Sequence, residues 1–292
     1  MKTIRERTRS KVSRETTLTA LDSGEGEVVV LGHGYLLDTD MWRPQIDALS
    51  RHYRVIVPNL WGHGSSGRLP PGTKDLRDIA QQHLQLLDQL NVDRFTLVGH
   101  SAGGMWGAEL ACLAPDRVTA IALLGTFVGP EPVDSQERYF AMLDTVEAAG
   151  AISDHIVDAF LPHFFPPRLS TMASDRPGKF RAKLAGWNHD RLLDTIVPLG
   201  RMIFGRRDAL TDLVHLDIPA LVMTGTDDTA RPVPEGRRMA HALGCPFFEL
   251  PGVGHMSTLE APDAVNERLL AFLDEASTQR QPAVAPQRSA VA

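Results

Sequence analysis

The chain has 292 residues and only two cysteines, Cys112 and Cys245, too few for a disulfide framework or a cysteine-based metal site. No stretch of 18 consecutive apolar residues is present, so no membrane-spanning helix is expected. The N-terminal basic residues are not followed by an apolar core segment, which argues against a secretory signal and for a cytoplasmic protein. There is no internal repeat, dinucleotide-binding motif or spaced set of metal ligands, and the reading therefore calls for no cofactor and no metal. Net charge is small at −6, but residues 1–14 hold six cations against Glu6, a local +5 that leaves −11 on the remainder. An acidic body repels phosphate, and no aromatics interleave the basic residues. Neither a nucleic-acid nor a membrane partner is expected, and residues 1–15 read as a solvated leader without structure.

What remains is the profile of an ordinary folded protein, 43% apolar and 23% charged, long enough for a large α/β domain. Apolar runs at Glu27–Leu31, Tyr53–Val57, Phe95–Val98 and Val118–Leu124 read as strands buried on both faces, preceded by a strand at Thr16–Leu21. Helical spacing between them, clearest at Asp75–Leu90 with Asn91 as the stop, gives the strand and helix alternation of a mostly parallel, doubly wound sheet. From residue 129 to 216 the strand pattern disappears. Helical segments near Ser135–Ala149, Ser153–Phe160 and Lys179–Ile196, broken by Pro162, Pro166, Pro167 and Pro177, read as an inserted lid. Sheet rhythm resumes at Ile218–Thr224 and Pro246–Leu250, and a last helix runs over Pro262–Glu275. The core is then 16–128 with 217–276, and 277–292 reads as an unstructured tail.

Gly99, Ser101 and Gly103 form G-x-S-x-G between the Phe95–Val98 strand and a helix from Met105. In that setting the chain turns sharply and lifts the serine hydroxyl into a cleft. A serine needs a base to take its proton and a third group to orient that base. His255, in the flexible loop Pro251-Gly252-Val253-Gly254-His255 past the last strand, is the histidine that can reach Ser101. The acid comes from Gly225–Pro232, which offers Asp227 and Asp228. Two backbone amides can hold the developing oxyanion, those of Ala102 at the helix start and of Tyr35 in the bend Gly32-His33-Gly34-Tyr35.

These motifs resemble the α/β-hydrolase-fold serine hydrolases along Val28 to Glu275, and Gly99–Val118 is similar to small bacterial esterases, enol-lactonases and cofactor-free perhydrolases. The resemblance implies that His33-Gly34-Tyr35 forms the oxyanion hole and that the acid of G-x-x-D-x-x-x-P is Asp228, third after Gly225 and fourth before Pro232. Asn59 departs from the family, which usually has Asp there. The expected reaction is hydrolysis of a small apolar ester or lactone through an acyl-enzyme, with perhydrolase chemistry or a non-catalytic receptor as alternatives. The lid should set specificity; Phe127, just before it, and Phe164 and Trp187 within it are candidate substrate contacts, and Phe140, Met142, Phe160, Phe165 and Phe204 are among its other apolar and aromatic residues. His33, His63 and His100 read as hydrogen-bonding braces.

Overall fold

The computed structural model describes residues 5–11, 16–165 and 175–280. Eight strands form one sheet: β1 (Arg5–Lys11), β2 (Thr17–Ser23), β3 (Val28–Gly32), β4 (Arg54–Pro58), β5 (Phe95–His100), β6 (Val118–Leu124), β7 (Ala220–Gly225) and β8 (Phe247–Leu250). Their order is β1-β2-β4-β3-β5-β6-β7-β8. The pairs β1/β2 and β2/β4 are antiparallel and all others parallel. Every residue of β5 and β6 is buried, as runs of Val, Leu and Ile covered on both faces require.

Right-handed crossovers decide where the helices go. The connection from β3 to β4 runs one way along the sheet and carries α1 (Arg43–Leu49). The connections through α2 (Leu76–Gln89) and α3 (Ala102–Leu113) run the other way, so these helices cover the opposite face. Asp75 starts α2 by accepting the amides of Arg77 at 2.9 Å and Asp78 at 3.0 Å. Asn91, at φ 54°, ends it in the left-handed conformation that asparagine tolerates. Between β6 and β7 lie α4 (Val133–Ala149), α5 (Asp154–Phe164), α6 (Arg176–Ala185) and α7 (Val197–Phe204). The fold closes with α8 (Val233–Leu243) and α9 (Pro262–Arg280), which packs on α1. No helix among the described residues is long and apolar enough to cross a membrane.

Three features differ from the sequence reading. Within the segment read as an unstructured leader, Arg5–Lys11 pairs with β2, Arg5 opposite Asp22 and Lys11 opposite Thr17. An edge strand needs backbone partners on one side only, and charged residues are common there, so composition is a poor guide to it. The last helix runs five residues beyond Glu275, taking in 277–280 of the expected tail; 281–292 lie outside the described residues. Pro162 sits inside α5, near its C-terminal end, and does not break it. Pro166 and Pro167 lie outside the described residues, and Pro177 opens α6 at a first-turn position where a missing N–H costs no helical bond.

Candidate active site

The strand order reverses about β3, with β4 on one side and β5 on the other. In open parallel sheets the crevice beyond the strand ends at such a reversal is where ligands bind. β3 ends there in the bend Gly32–Tyr35 and β5 ends in Ser101, with Gly32 paired to Gly99.

Ser101 has φ 52° and ψ −122°, a strained conformation for a residue with a side chain. The surroundings impose it. Its N–H donates to Leu124 O at 3.1 Å, and its carbonyl accepts from Gly104 N–H at 2.9 Å and the Thr126 hydroxyl at 2.7 Å. Ala102 is the first residue of α3, where amides have no acceptor within the helix and are free to serve an anion. Tyr35 is held by its hydroxyl, which donates to Ile196 O at 2.7 Å; burial pushes its ionisation well above the ordinary tyrosine value.

His255 and Asp228 are both buried, with Nδ1 of the imidazole donating to Asp228 Oδ2 at 2.9 Å. The other carboxylate oxygen, Oδ1, accepts the amides of Ala230 at 2.9 Å and Arg231 at 2.8 Å. Burial alone would raise the pKa of this carboxyl. The imidazole and the Arg231 amide outweigh it and hold the carboxyl below the usual value. Asp227 is exposed and its Oδ1 accepts the Thr226 hydroxyl at 3.1 Å instead. With Nδ1 engaged, Nε2 is the ring nitrogen left to take up a proton.

Buried histidines brace these loops. His33 Nδ1 donates to Gly34 O at 2.8 Å, and its Nε2 accepts the Leu60 amide at 2.9 Å. His63 Nδ1 donates to Trp61 O at 2.8 Å, and its Nε2 accepts the Leu36 amide at 3.0 Å. Both rings are thus neutral Nδ1–H tautomers with no nitrogen to spare. His100 Nε2 donates to His255 O at 2.7 Å, fixing the backbone of the histidine loop. Asn59 is structural as well: its Nδ2 donates to Thr19 Oγ1 at 3.1 Å and its Oδ1 accepts the Thr39 amide at 3.3 Å.

Burial lowers His33 and His83 to about 4 and His100 to about 3, and pushes His63 well below its ordinary value. In the unfolded chain these groups titrate near 6.5. Above that pH both states are neutral and stability is fully present. As pH falls from 6.5 toward 4 the unfolded chain gains protons that the folded one refuses. Each histidine then removes about 1.4 kcal/mol per pH unit. The urea midpoint is therefore expected to fall steeply between pH 7 and pH 5; a flat profile over that range would refute the assignment of these rings as neutral braces.

Ser101, Ala102, Tyr35 and His255 line one cavity of about 600 Å³, roofed by α4, α5 and α7. Of the expected substrate contacts, Phe164 lies on it, with its ring 5.7 Å from that of His255. Met142, Phe160 and Phe204 line it too. Phe127 and Trp187 do not. Phe127 is buried beneath the guanidinium of Arg238, 5.3 Å away, and Trp187 packs edge-on against His63 at 5.7 Å. Phe140 and Phe165 are likewise off the cavity.

Four features escaped the sequence reading. Gly125, at φ 47°, lies against the Asp228–His255 pair; a methyl group there would sit 3.1 Å from Asp228 Oδ2. A glycine closing a buried strand was the available signal. His163 Nδ1 lies 2.6 Å from Thr229 Oγ1 and ties α5 to the acid loop. Glu131 and Arg231 form a buried ion pair at 2.7 Å on the cavity wall. Arg138 faces the same cavity. No pattern in the chain marks these last three as cavity residues.

A left-handed serine at a strand-to-helix turn, facing a buried Asp–His pair across one cavity, is the arrangement of a serine hydrolase built on a doubly wound sheet. Residues 27–262 match the alpha/beta hydrolase fold family, and the chain belongs to it. It is 29% identical over 274 residues to the (E)-2-((N-methylformamido)methylene)succinate hydrolase of Acinetobacter baylyi, covering 90% of this chain and 97% of that one. Among solved structures, a thermophilic esterase from Thermogutta terrifontis superimposes with a TM-score of 0.81 at 25% identity, covering 93% of this chain and 99% of that one. The enol-lactonase from Burkholderia xenovorans LB400 gives 0.79 at 26%, covering 91% and 100%.

Proposed function

We propose that this chain hydrolyses small carboxylic esters or lactones through an acyl-enzyme. The observation that carries the proposal is the Asp228–His255 hydrogen bond of 2.9 Å opening on the same cavity as Ser101. Ser101 Oγ attacks the carbonyl carbon as His255 Nε2 takes its proton, and Asp228 stabilises the imidazolium. The negative charge that forms on the carbonyl oxygen is held by the amides of Tyr35 and Ala102, worth about 3 kcal/mol each in the transition state. His255 then returns the proton to the leaving alkoxide. A water, deprotonated by the same ring, frees the acid and restores Ser101. A lactone follows the same path with its alcohol still tethered. The relatives named above, one acting on a substituted succinate, one an esterase and one an enol-lactonase, support acyl chemistry of this kind. A cytoplasmic location belongs to the same reading and rests on the two free cysteines.

Short p-nitrophenyl esters are expected to be turned over, and a fluorophosphonate probe to label Ser101. No turnover together with an unlabelled Ser101 would sink the hydrolase assignment. Labelling without turnover on a panel of esters and lactones would favour a receptor, and peracid formed from acetate and peroxide at a rival rate would favour a perhydrolase.

A further inference from the structure

Part of the wall of the cavity that holds Ser101 is charged, and its charges do not cancel. Glu131 Oε2 accepts from Arg206 Nη1 at 2.6 Å and from Arg231 Nη2 at 2.7 Å, and Arg231 Nη1 lies 3.5 Å from Glu235 Oε2. Two guanidiniums and two carboxylates thus form one network. Arg138 stands outside it. Ser135, Arg138, Tyr139 and Met142 make the stripe of α4 that faces the cavity, at the three- and four-residue spacing of one helix face. Arg138 Nη2 donates to the Ser135 hydroxyl at 2.9 Å, one turn back along that stripe. Among the described residues it has no carboxylate partner, and a neutral hydroxyl leaves its charge uncompensated.

We propose that the substrate carries a free carboxylate distant from the scissile carbonyl, and that Arg138, assisted by Ser135, binds it. This deepens the hydrolase reading and rests on it. A guanidinium offers paired donors in a plane, the arrangement a carboxylate matches. One uncompensated positive charge suits a monoanion. A phosphate dianion would bring excess negative charge against Glu131 and Glu235, which line the same cavity. The ligand is therefore a half-ester or a carboxylate-bearing lactone. Arg138 is exposed enough at the cavity mouth to meet that anion before the ester reaches Ser101.

The test compares mono-p-nitrophenyl glutarate with p-nitrophenyl pentanoate, in which a methyl replaces the carboxylate. The wild-type kcat/KM is expected to favour the acid by about tenfold or more, with the preference shrinking as salt is raised. In Arg138→Gln that ratio should fall by roughly 10- to 100-fold, chiefly through KM, because the contact is made equally in ground and transition states. In Arg138→Glu the preference should turn to the p-nitrophenyl ester of γ-trimethylammoniobutyrate. Unchanged thermal midpoints would show that both variants fold. A ratio near one in the wild type, or the same ratio in Arg138→Gln, would overturn this proposal while pentanoate turnover and Ser101 labelling left the hydrolase reading standing. Loss of turnover and labelling on both esters would overturn the two together.

Discussion

Asp228→Asn is expected to lower turnover by about four orders of magnitude, a barrier increase of roughly 5 kcal/mol, while leaving the protein folded. The reason lies in the other carboxylate oxygen. Oδ1 accepts two amides, from Ala230 and Arg231. An asparagine in this place must keep its carbonyl oxygen toward those donors, since its NH₂ there would face two N–H groups. The NH₂ is then turned on His255 Nδ1, where the carboxylate now accepts at 2.9 Å. Nδ1 has to become an acceptor, the proton moves to Nε2, and the lone pair that would take the Ser101 proton is lost. Asp227→Asn meets no such demand. That side chain is exposed, its Oδ1 accepts the Thr226 hydroxyl, and the carboxylate that meets His255 is that of Asp228, so turnover should stay within about tenfold, a change of roughly 1.4 kcal/mol. Steady-state rates of both variants on one ester, with circular dichroism to show folding, decide it. The reverse pattern would transfer the role to Asp227.

The same residues show what a chain reveals of its own fold. Central strands were legible because covering a strand on both faces demands a nearly continuous apolar run, and Phe95–Val98 and Val118–Leu124 are such runs, each interrupted by a single threonine. The turn at Ser101 was legible because its geometry tolerates few residue types, and Asn91 because it punctuates a helix. Edge strand Arg5–Lys11 was not, since pairing to β2 asks only for backbone. The cavity wall was legible only in part. Which face of a lid helix points inward depends on how α4, α5 and α7 pack over the sheet. Phe164 and Trp187 are both large and apolar, yet one meets His255 and the other His63. Nothing in the chain sets Glu131, Arg138 and Arg231 apart, because charged residues normally lie on a solvated surface. Only tertiary packing puts two of them in a buried pair and the third on the cavity, with no carboxylate partner among the described residues.

Gly103→Ala is expected to damage stability and turnover together, because one contact there serves both. A Cβ on Gly103 would lie 2.0 Å from Gly32 O and 2.3 Å from Gly32 C, and neither atom can rotate away, being backbone. The first turn of α3 and the end of β3 would have to part by an ångström or more. Overpacking against rigid atoms costs about 3 kcal/mol, seen as a lower urea midpoint. The displaced pieces are those that carry the two proposed oxyanion donors, Ala102 beside Gly103 and Tyr35 three residues past Gly32. Two amides aimed at one oxygen lose their common focus when the pieces separate, and turnover should fall by about 10²–10³. Gly107→Ala is the comparison that isolates this effect. It lies in the same helix, and its added methyl would meet Leu97 Cδ2 at 2.2 Å, the far end of a side chain that can change rotamer. That variant should lose about 1–2 kcal/mol and keep turnover within about tenfold. If Gly103→Ala retained the wild-type midpoint and rate, or if Gly107→Ala lost as much activity, the close approach of α3 to the Gly32 bend would not be what aligns the site.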